Sequence, residues 1–358
     1  MNILFFANRI IYGGGERVRN WLALNLVNSG NRVIYAIPEK NDLVVNEFLK
    51  SGLADNIDYV VYPFHIKKSA PYMYIKEIEK IYLDNNVDLL IYFGGSLIEQ
   101  LVARRLGVKI ILSERCDPNS RPLLSRVLKQ IQYRIADGYV FQTPAASVCY
   151  GKRAQKLSIV IPNPILDKSP EPIFSSLRKE IVTVGRLSEE KNQMMLLKAF
   201  NQIHHSIPDY KLLIYGSGPL EKQLMDYINL NNLGDVVQLI KDKTNITELI
   251  NGASLFVLPS NTEGMPNALI EAMSMGVLSI STDCPIYGPR YLVRNGENAF
   301  LTPIKNVDKL AKTMMLALNS PKADIIRWEA FKIRETLKSD KIYFCWNQYI
   351  ETILRNDR

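Results

Sequence analysis

Residues 162–178 read PNPILDKSPEPIFSSLR, a stretch holding four prolines and three serines. Proline lacks a backbone N–H and has a fixed φ, so this cluster fits neither a helix interior nor a central strand and reads as a linker. Upstream of it, short apolar runs at 2–7, 32–37, 57–61, 88–93, 108–112 and 138–141 read as strands. Helical patterns lie between them near 15–29, 71–84, 94–106 and 122–136. Downstream the alternation restarts, with strands at 181–184, 211–215, 236–239, 254–258 and 277–280 and helices near 192–204, 218–229, 244–251, 267–275 and 306–318. The runs are near-continuously apolar, as strands buried on both faces require. Strand–helix repetition on both sides of a linker predicts an α/β protein of two doubly wound domains with parallel sheets, facing across a cleft at the carboxyl ends of the strands. The expected boundaries are 1–165, a linker at 166–178, and a second domain at 179–338. The tail looks helical, with Trp328, Phe331, Phe344, Trp346 and Tyr349 as large anchors. Its last part, 339–358, either crosses back to brace the first domain or closes the second.

Composition agrees with a globular chain and excludes a disordered or fibrous one: 358 residues, 47% hydrophobic and 22% charged. That length accommodates two cores. Cys116, Cys149, Cys284 and Cys345 have no C-x-x-C spacing, which argues against a disulfide scaffold or a cysteine zinc module. With only His65, His204 and His205 present, an imidazole-rich metal centre is not expected. No uncharged apolar stretch approaches the roughly 18 residues of a spanning helix. The first apolar run, 3–7, ends before Arg9 and is too short for a secretory leader, so the expected setting is cytoplasmic. The net charge of +8 is uneven: residues 1–170 carry 22 Lys/Arg against 15 Asp/Glu, residues 171–358 carry 22 against 21. A basic first domain attracts a phosphorylated substrate, an anionic lipid surface or nucleic acid, and charge does not choose among them.

Chemistry concentrates in a few loops. Residues 11–17 read IYGGGER, after the first strand and before a helix. Glycines let backbone approach a ligand and the helix offers N–H groups to an anion, although a plain tight turn is the other reading. Neither the dinucleotide fingerprint nor the P-loop is matched. Residues 260–276 read SNTEGMPNALIEAMSMG. Gly264 and Pro266 fix a loop around Glu263, and the helix expected from Asn267 puts Glu271 in its second turn among apolar neighbours. A carboxylate there needs a partner or substrate hydroxyls, and the first helical amides suit a pyrophosphate. The competing reading is a helix-start acid plus a solvated one. Residues 185–192 read GRLSEEKN: Gly185 permits a sharp turn, while Arg186 and Lys191 bracket it and suit a diphosphate, or else simply flank a solvated loop. Gly216-Ser217-Gly218-Pro219 is a second glycine turn that contacts a nucleobase or starts a helix.

Together GGGER, GRLSEEKN, YGSGP and the two glutamates eight apart resemble, in order and over almost the whole chain, the retaining glycosyltransferases of family 4, which have the GT-B fold. The resemblance implies a nucleoside diphosphate sugar, UDP-linked, bound mainly by the second domain, an acceptor bound mainly by the first, and no metal or other cofactor. It matches Arg186 and Lys191 to the diphosphate-binding pair, Glu271 to the acid on the ribose hydroxyls, and Glu263 to the acid at the donor sugar. Gly14 and Gly15 match the loop beside the phosphates. Gly185, Gly216, Gly264, Met265, Pro266, Asn267 and Ala268 complete the implied nucleotide site. Glu263, Arg186 and Lys191 form the implied catalytic set, with Glu263 as sugar binder or ion-pair stabiliser. Same-face attack, with the departing phosphate taking the acceptor proton, is the mechanism the resemblance favours.

SERCDP at 113–118, QYRIADGYVFQT at 132–143 and STDCPIYGPR at 281–290 are similar to bacterial enzymes of capsule, O-antigen and lipid-linked glycan assembly. That implies transfer of N-acetylgalactosamine, N-acetylglucosamine or galactose to a polyprenyl-diphosphate-linked glycan at the inner face of the plasma membrane; a soluble acceptor is the alternative. Two positions depart from the family pattern: Glu114 and Arg115 stand where many members have a histidine, and Tyr291 follows the GPR triplet where glutamate is commonest. Residues 121–136, RPLLSRVLKQIQYRIA, carry an apolar stripe with Arg126, Lys129 and Arg134 outside it. They are expected to meet an anionic membrane or a lipid pyrophosphate, against the reading of an ordinary packed helix. Residues 62–76, YPFHIKKSAPYMYIK, extend that surface. Nucleic acid is not an expected partner, since it leaves the two glutamates without a role.

Overall fold

The computed structural model describes residues 1–7, 13–39, 42–94, 96–115, 130–166, 170–241, 246–285 and 288–355. The chain divides into unit 1, Met1–Leu166 with Ser339–Arg358, and unit 2, Asp167–Lys338. Of the basic segment at 121–136, residues 121–129 lie outside the described residues; 130–135 are helical.

Unit 1 is built on seven strands: β1 (Asn2–Phe6), β2 (Arg32–Pro38), β3 (Asp58–Tyr62), β4 (Leu89–Tyr92), β5 (Lys109–Ser113), β6 (Gly138–Phe141) and β7 (Ser158–Val160). They form one sheet in the order β3-β2-β1-β4-β5-β6-β7, every pairing parallel. Unit 2 repeats the plan with β8 (Arg178–Val184), β9 (Lys211–Tyr215), β10 (Val237–Ile240), β11 (Ala253–Leu258), β12 (Ser279–Thr282) and β13 (Phe300–Thr302). Its order is β10-β9-β8-β11-β12-β13, again all parallel. The central strands β4, β6 and β11 are buried along their whole length, which is why the sequence shows continuous apolar runs rather than alternation. In each sheet the strand order reverses once, between β1 and β4 and between β8 and β11. Such reversals open a crevice beyond the carboxyl ends of the two strands, the usual ligand position.

Two strands were not expected and one expected strand needs correction. β7 and β13 are three-residue edge strands whose runs, SIV and FLT, are too short to stand out by pattern. β12 starts two residues later than the apolar run beginning at Val277. Gly276 turns the chain with φ 63°, and the Val277 amide is engaged with the Ala272 carbonyl at 3.1 Å, so the parallel pairing takes hold only from Ser279, opposite Phe256.

The tail consists of helices Ala323–Phe331 and Ile333–Thr336 in unit 2 and Ser339–Arg355 in unit 1. The last of these buries Ile342, Trp346, Ile350 and Ile353. Trp346 stacks on Phe93, just beyond β4, with ring centroids 6.2 Å apart. The Tyr349 hydroxyl accepts from the Tyr139 amide at 2.8 Å and donates to the Leu157 carbonyl, reaching β6 and the approach to β7. Gly138 leaves room for it: a Cβ there would lie 2.6 Å from that hydroxyl. At its start, Ser339 Oγ accepts from Trp21 Nε1 at 2.7 Å, and Tyr343 donates to Ser29 at 2.7 Å. The helix therefore reaches from Gly14–Asn28 across to β6.

Candidate active site

In unit 2 the two strands at the reversal carry the two loops singled out in the sequence. β8 runs into Gly185 and the segment ending at Asn192, and β11 runs into Ser260 and the segment ending at Pro266. Asn192 adopts the left-handed conformation (φ 48°, ψ 44°), and its side chain accepts from the Met195 amide, capping the helix Gln193–Ile203. The loops are stitched to each other by Asn261. Its amide donates to the Glu190 carbonyl at 2.7 Å, its Nδ2 donates to the Glu189 carbonyl at 2.8 Å, and its Oδ1 accepts from Asn192 at 3.0 Å.

That stitching brings Lys191 against Glu263, with Nζ 2.6 Å from Oε1. The same oxygen accepts from Ser260 Oγ at 2.6 Å. Glu263 is only 9% exposed, so an ion pair with a second donor offsets the desolvation of its charge. Ser260 is itself fixed from behind: Thr282 Oγ1 donates to its carbonyl at 2.5 Å and Cys284 Sγ at 3.2 Å. Burial pushes the Cys284 thiol up to about 12, with the nearby Glu263 carboxylate adding to the rise, so the thiol remains a donor. Arg290 closes the neighbouring loop through an ion pair with Asp283.

Glu271 lies in the second turn of the helix Asn267–Ser274 and is 4% exposed. Met265 and Pro266 are buried at its start, while Asn267 and Ala268 are half-buried there. Gly264 is pressed against Gly288, where a Cβ would stand 1.4 Å from the Gly264 carbonyl oxygen. Arg186 is exposed, and its carbonyl accepts from Gln193 at 3.0 Å. Gly216 and Gly218 serve packing between loops. Their Cβ atoms would come within 2.0 Å of the Gly185 carbonyl oxygen and 2.3 Å of that of Leu187, so glycine is required for YGSGP to lie on the turn after β8. Lys191, Ser260 and Glu263 thus touch; Gly185 and Gly216 back the loop; Glu271, Gly264, Met265, Pro266, Asn267 and Ala268 follow from the β11 side.

Gly14 and Gly15 belong to unit 1, where they open the helix Gly14–Asn28 after an extended Gly13. Glu16 folds back over that start, 2.1 Å from where a Gly13 Cβ would be, as an acid at a helix N-terminus should. Gly15 faces Arg115, whose guanidinium lies 4.7 Å from the Phe93 ring centroid and donates to Asn163 at 2.8 Å. Glu114 is buried and accepts from the Tyr150 hydroxyl at 2.7 Å.

Ser260, Asn261, Asn192, Thr282 and Cys284 were not singled out by sequence reasoning. Asn192 had a signal, an asparagine just ahead of an apolar periodic run; the others are polar residues whose partners lie in distant loops. Among the described residues no group of three or more His, Cys, Asp or Glu side chains is arranged to hold a metal ion.

Residues 168–330, most of unit 2, match the family described as Glycosyl transferases group 1. An uncharacterized glycosyltransferase of Haemophilus influenzae is 27% identical over 330 residues, 86% of this chain and 88% of that protein. An undecaprenol-linked glycan α-1,4-N-acetyl-D-galactosaminyltransferase of Campylobacter jejuni is 27% identical over 248 residues, 68% of each. The crystal structure of HepE from Anabaena in complex with UDP has a TM-score of 0.82 at 17% identity, covering 98% of this chain and 100% of that one. The likeness shows a GT-B fold, and the chain resembles glycosyltransferases of family 4, among them bacterial enzymes of surface-polysaccharide and lipid-linked glycan assembly.

Proposed function

We propose that this chain moves a hexose or N-acetylhexosamine from a UDP-sugar to a hydroxyl of a polyprenyl-diphosphate-linked glycan, with retention of configuration and without a metal, at the inner face of the plasma membrane. The observation that carries the reading is the Lys191–Glu263 contact of 2.6 Å, which joins the two loops at the strand-order reversal of unit 2. An ammonium group has three donors; one on Glu263 leaves two for diphosphate oxygens. Arg186, exposed on the same loop, supplies a second cation. The buried Glu271 suits ribose hydroxyls, which donate to a carboxylate and make up for its lost hydration. The UDP bound to HepE supports the choice of nucleotide, and the activity of the Campylobacter relative supports the acceptor class.

In the proposed reaction the bond between the anomeric carbon and the diphosphate breaks, and its electron pair stays on the diphosphate oxygen. The acceptor hydroxyl forms the new bond on the same face and passes its proton to that oxygen. Arg186 and Lys191 stabilise the growing negative charge, an effect worth about 3 kcal/mol for one well-placed donor. Glu263 lies where it can hold a sugar hydroxyl or steady positive charge at the anomeric carbon. The test is calorimetry with UDP, GDP, ADP and TDP in excess chelator, followed by turnover with the UDP-sugars and assignment of the product anomer. UDP binding in chelator, weakened by Glu271→Ala, is expected. Binding that requires a divalent ion, or an inverted product, defeats the proposal.

A further inference from the structure

We propose that the corner between the helices Ile66–Ser69 and Pro71–Asp84 is a wedge that seats unit 1 on an anionic lipid surface. Tyr72 is 67% exposed, Met73 59% and Phe64 39%, and Pro71 is exposed beside them. Single exposed apolar residues are ordinary, but a cluster of large ones interleaved with cations marks an interaction surface. No acidic residue occurs between Asp58 and Glu77, whereas Lys67, Lys68 and Lys76 do. Lys76 Nζ lies 4.8 Å over the Tyr72 ring, which couples an exposed cation to the most exposed aromatic of the corner. Of the nearby acids, Glu79 pairs with Arg105 at 2.8 Å and Glu39 with His65 at 3.2 Å, while Glu77 is exposed between the exposed Lys76 and Lys80.

The corner is held rigidly from below. Tyr74 is fully buried and its hydroxyl donates to the buried Glu99 carboxylate, which Lys67 Nζ also approaches at 3.4 Å. Lys67 Nζ further lies 5.1 Å and 5.3 Å from the Phe64 and Tyr74 ring centroids. Lys67 therefore braces Phe64 while Glu99 offsets its charge, and Lys76 is an outward cation. The amides of Ala70 and Tyr74 continue one turn into the next, at 2.8 Å to Ile66 and 3.0 Å to Ala70. A wedge already ordered loses little freedom on insertion. Tyrosine and lysine, each with an apolar body and a polar tip, suit the headgroup layer.

Position within unit 1 fits this use. The Tyr62 ring, at the end of β3, packs on Phe6, at the end of β1, and on Phe64 (centroids 5.6 Å and 6.2 Å). The wedge, like Gly14 and Gly15, thus follows the carboxyl end of a strand of this sheet. It deepens the proposed function by naming the surface through which a lipid-borne acceptor is met, yet it is tested without turnover. The occupant is a bilayer, chosen over a protein because the cations and amphipathic aromatics match headgroup phosphates and the acyl boundary.

The experiment is cosedimentation of the full chain with phosphatidylcholine vesicles, with and without phosphatidylglycerol, at low and high salt. Wild type is expected in the pellet with the anionic vesicles at low salt. Tyr72→Ser with Met73→Ser should lower partitioning about tenfold, and Lys76→Gln about fivefold on anionic vesicles only. A tryptophan introduced by Tyr72→Trp should be quenched by brominated lipid. Thermal melting followed by far-UV circular dichroism shows that unit 1 of every variant is folded, and a wild type that binds vesicles but not UDP in calorimetry separates failure of the donor reading from failure of the wedge. The wedge is overturned if wild type stays in the supernatant at low salt, or if the serine variant partitions like wild type. It is equally overturned if sedimentation velocity shows a dimer that the serine variant turns into a monomer.

Discussion

Glu263 Oε1 receives Lys191 Nζ and Ser260 Oγ at 2.6 Å each, so the orientation of this carboxylate is set by a lysine and by a serine. Ser260→Ala removes the neutral donor and leaves the charge pair in place. A hydrogen bond to a charged group contributes about 1.5–3 kcal/mol, so kcat should fall roughly 10- to 100-fold if it acts in the transition state. UDP affinity should hold and Ser260→Thr should restore most of the rate; a kcat within twofold of wild type removes Ser260 from any positioning role. Cys284, behind Ser260, makes a second prediction. Its thiol is raised from 9.0 to about 12 in the folded chain, so above pH 9 the unfolded chain loses the proton first. The stability tied to this group is present below that pH and declines as pH rises from 9 towards 12. Cys284→Ser should flatten that part of a pH–stability curve, and native Cys284 should resist alkylation at pH 8.5 by mass spectrometry.

At the scale of elements, the helix Ser339–Arg355 ties the helix Gly14–Asn28 to β6, and Trp346 is its fully buried anchor. Trp346→Ala should cost about 3–5 kcal/mol, and chemical denaturation followed by far-UV circular dichroism reads that loss. A midpoint unchanged from wild type would mean that the helix docks without this anchor. The helix was legible as a helix from its anchors alone, because apolar periodicity is local. Which sheet it covers was not, since Trp346 packs on Phe93 and Tyr349 bonds Tyr139, partners far away in sequence. The short edge strands β7 and β13 escaped for a related reason. Three residues leave no pattern, and only the neighbouring strand makes them strands.

At the scale of the whole molecule, two units with separate cores predict two unfolding transitions. Saturating UDP at about a hundredfold over its dissociation constant adds roughly 2.7 kcal/mol to the unit that binds it. Calorimetry should therefore show one transition rising with UDP while Trp346→Ala lowers the other. A single transition moved by both would refute independent units. What the sequence by itself determined is the plan: a proline-rich break, continuous apolar runs for buried parallel strands, and glycine loops after them, all of which are local or periodic properties of the chain. It also singled out Lys191 and Glu263 individually, as charges in loops after strands. Only the tertiary structure decided that these two share a 2.6 Å contact across 72 positions, that Ser260, Thr282 and Cys284 stand behind them, and that the last helix belongs with unit 1. The physical reason is range. Apolar burial is recorded in periodicity at every turn of the chain, whereas the partner of a polar atom is set by strand order and by the close approach of loops, which no local pattern encodes.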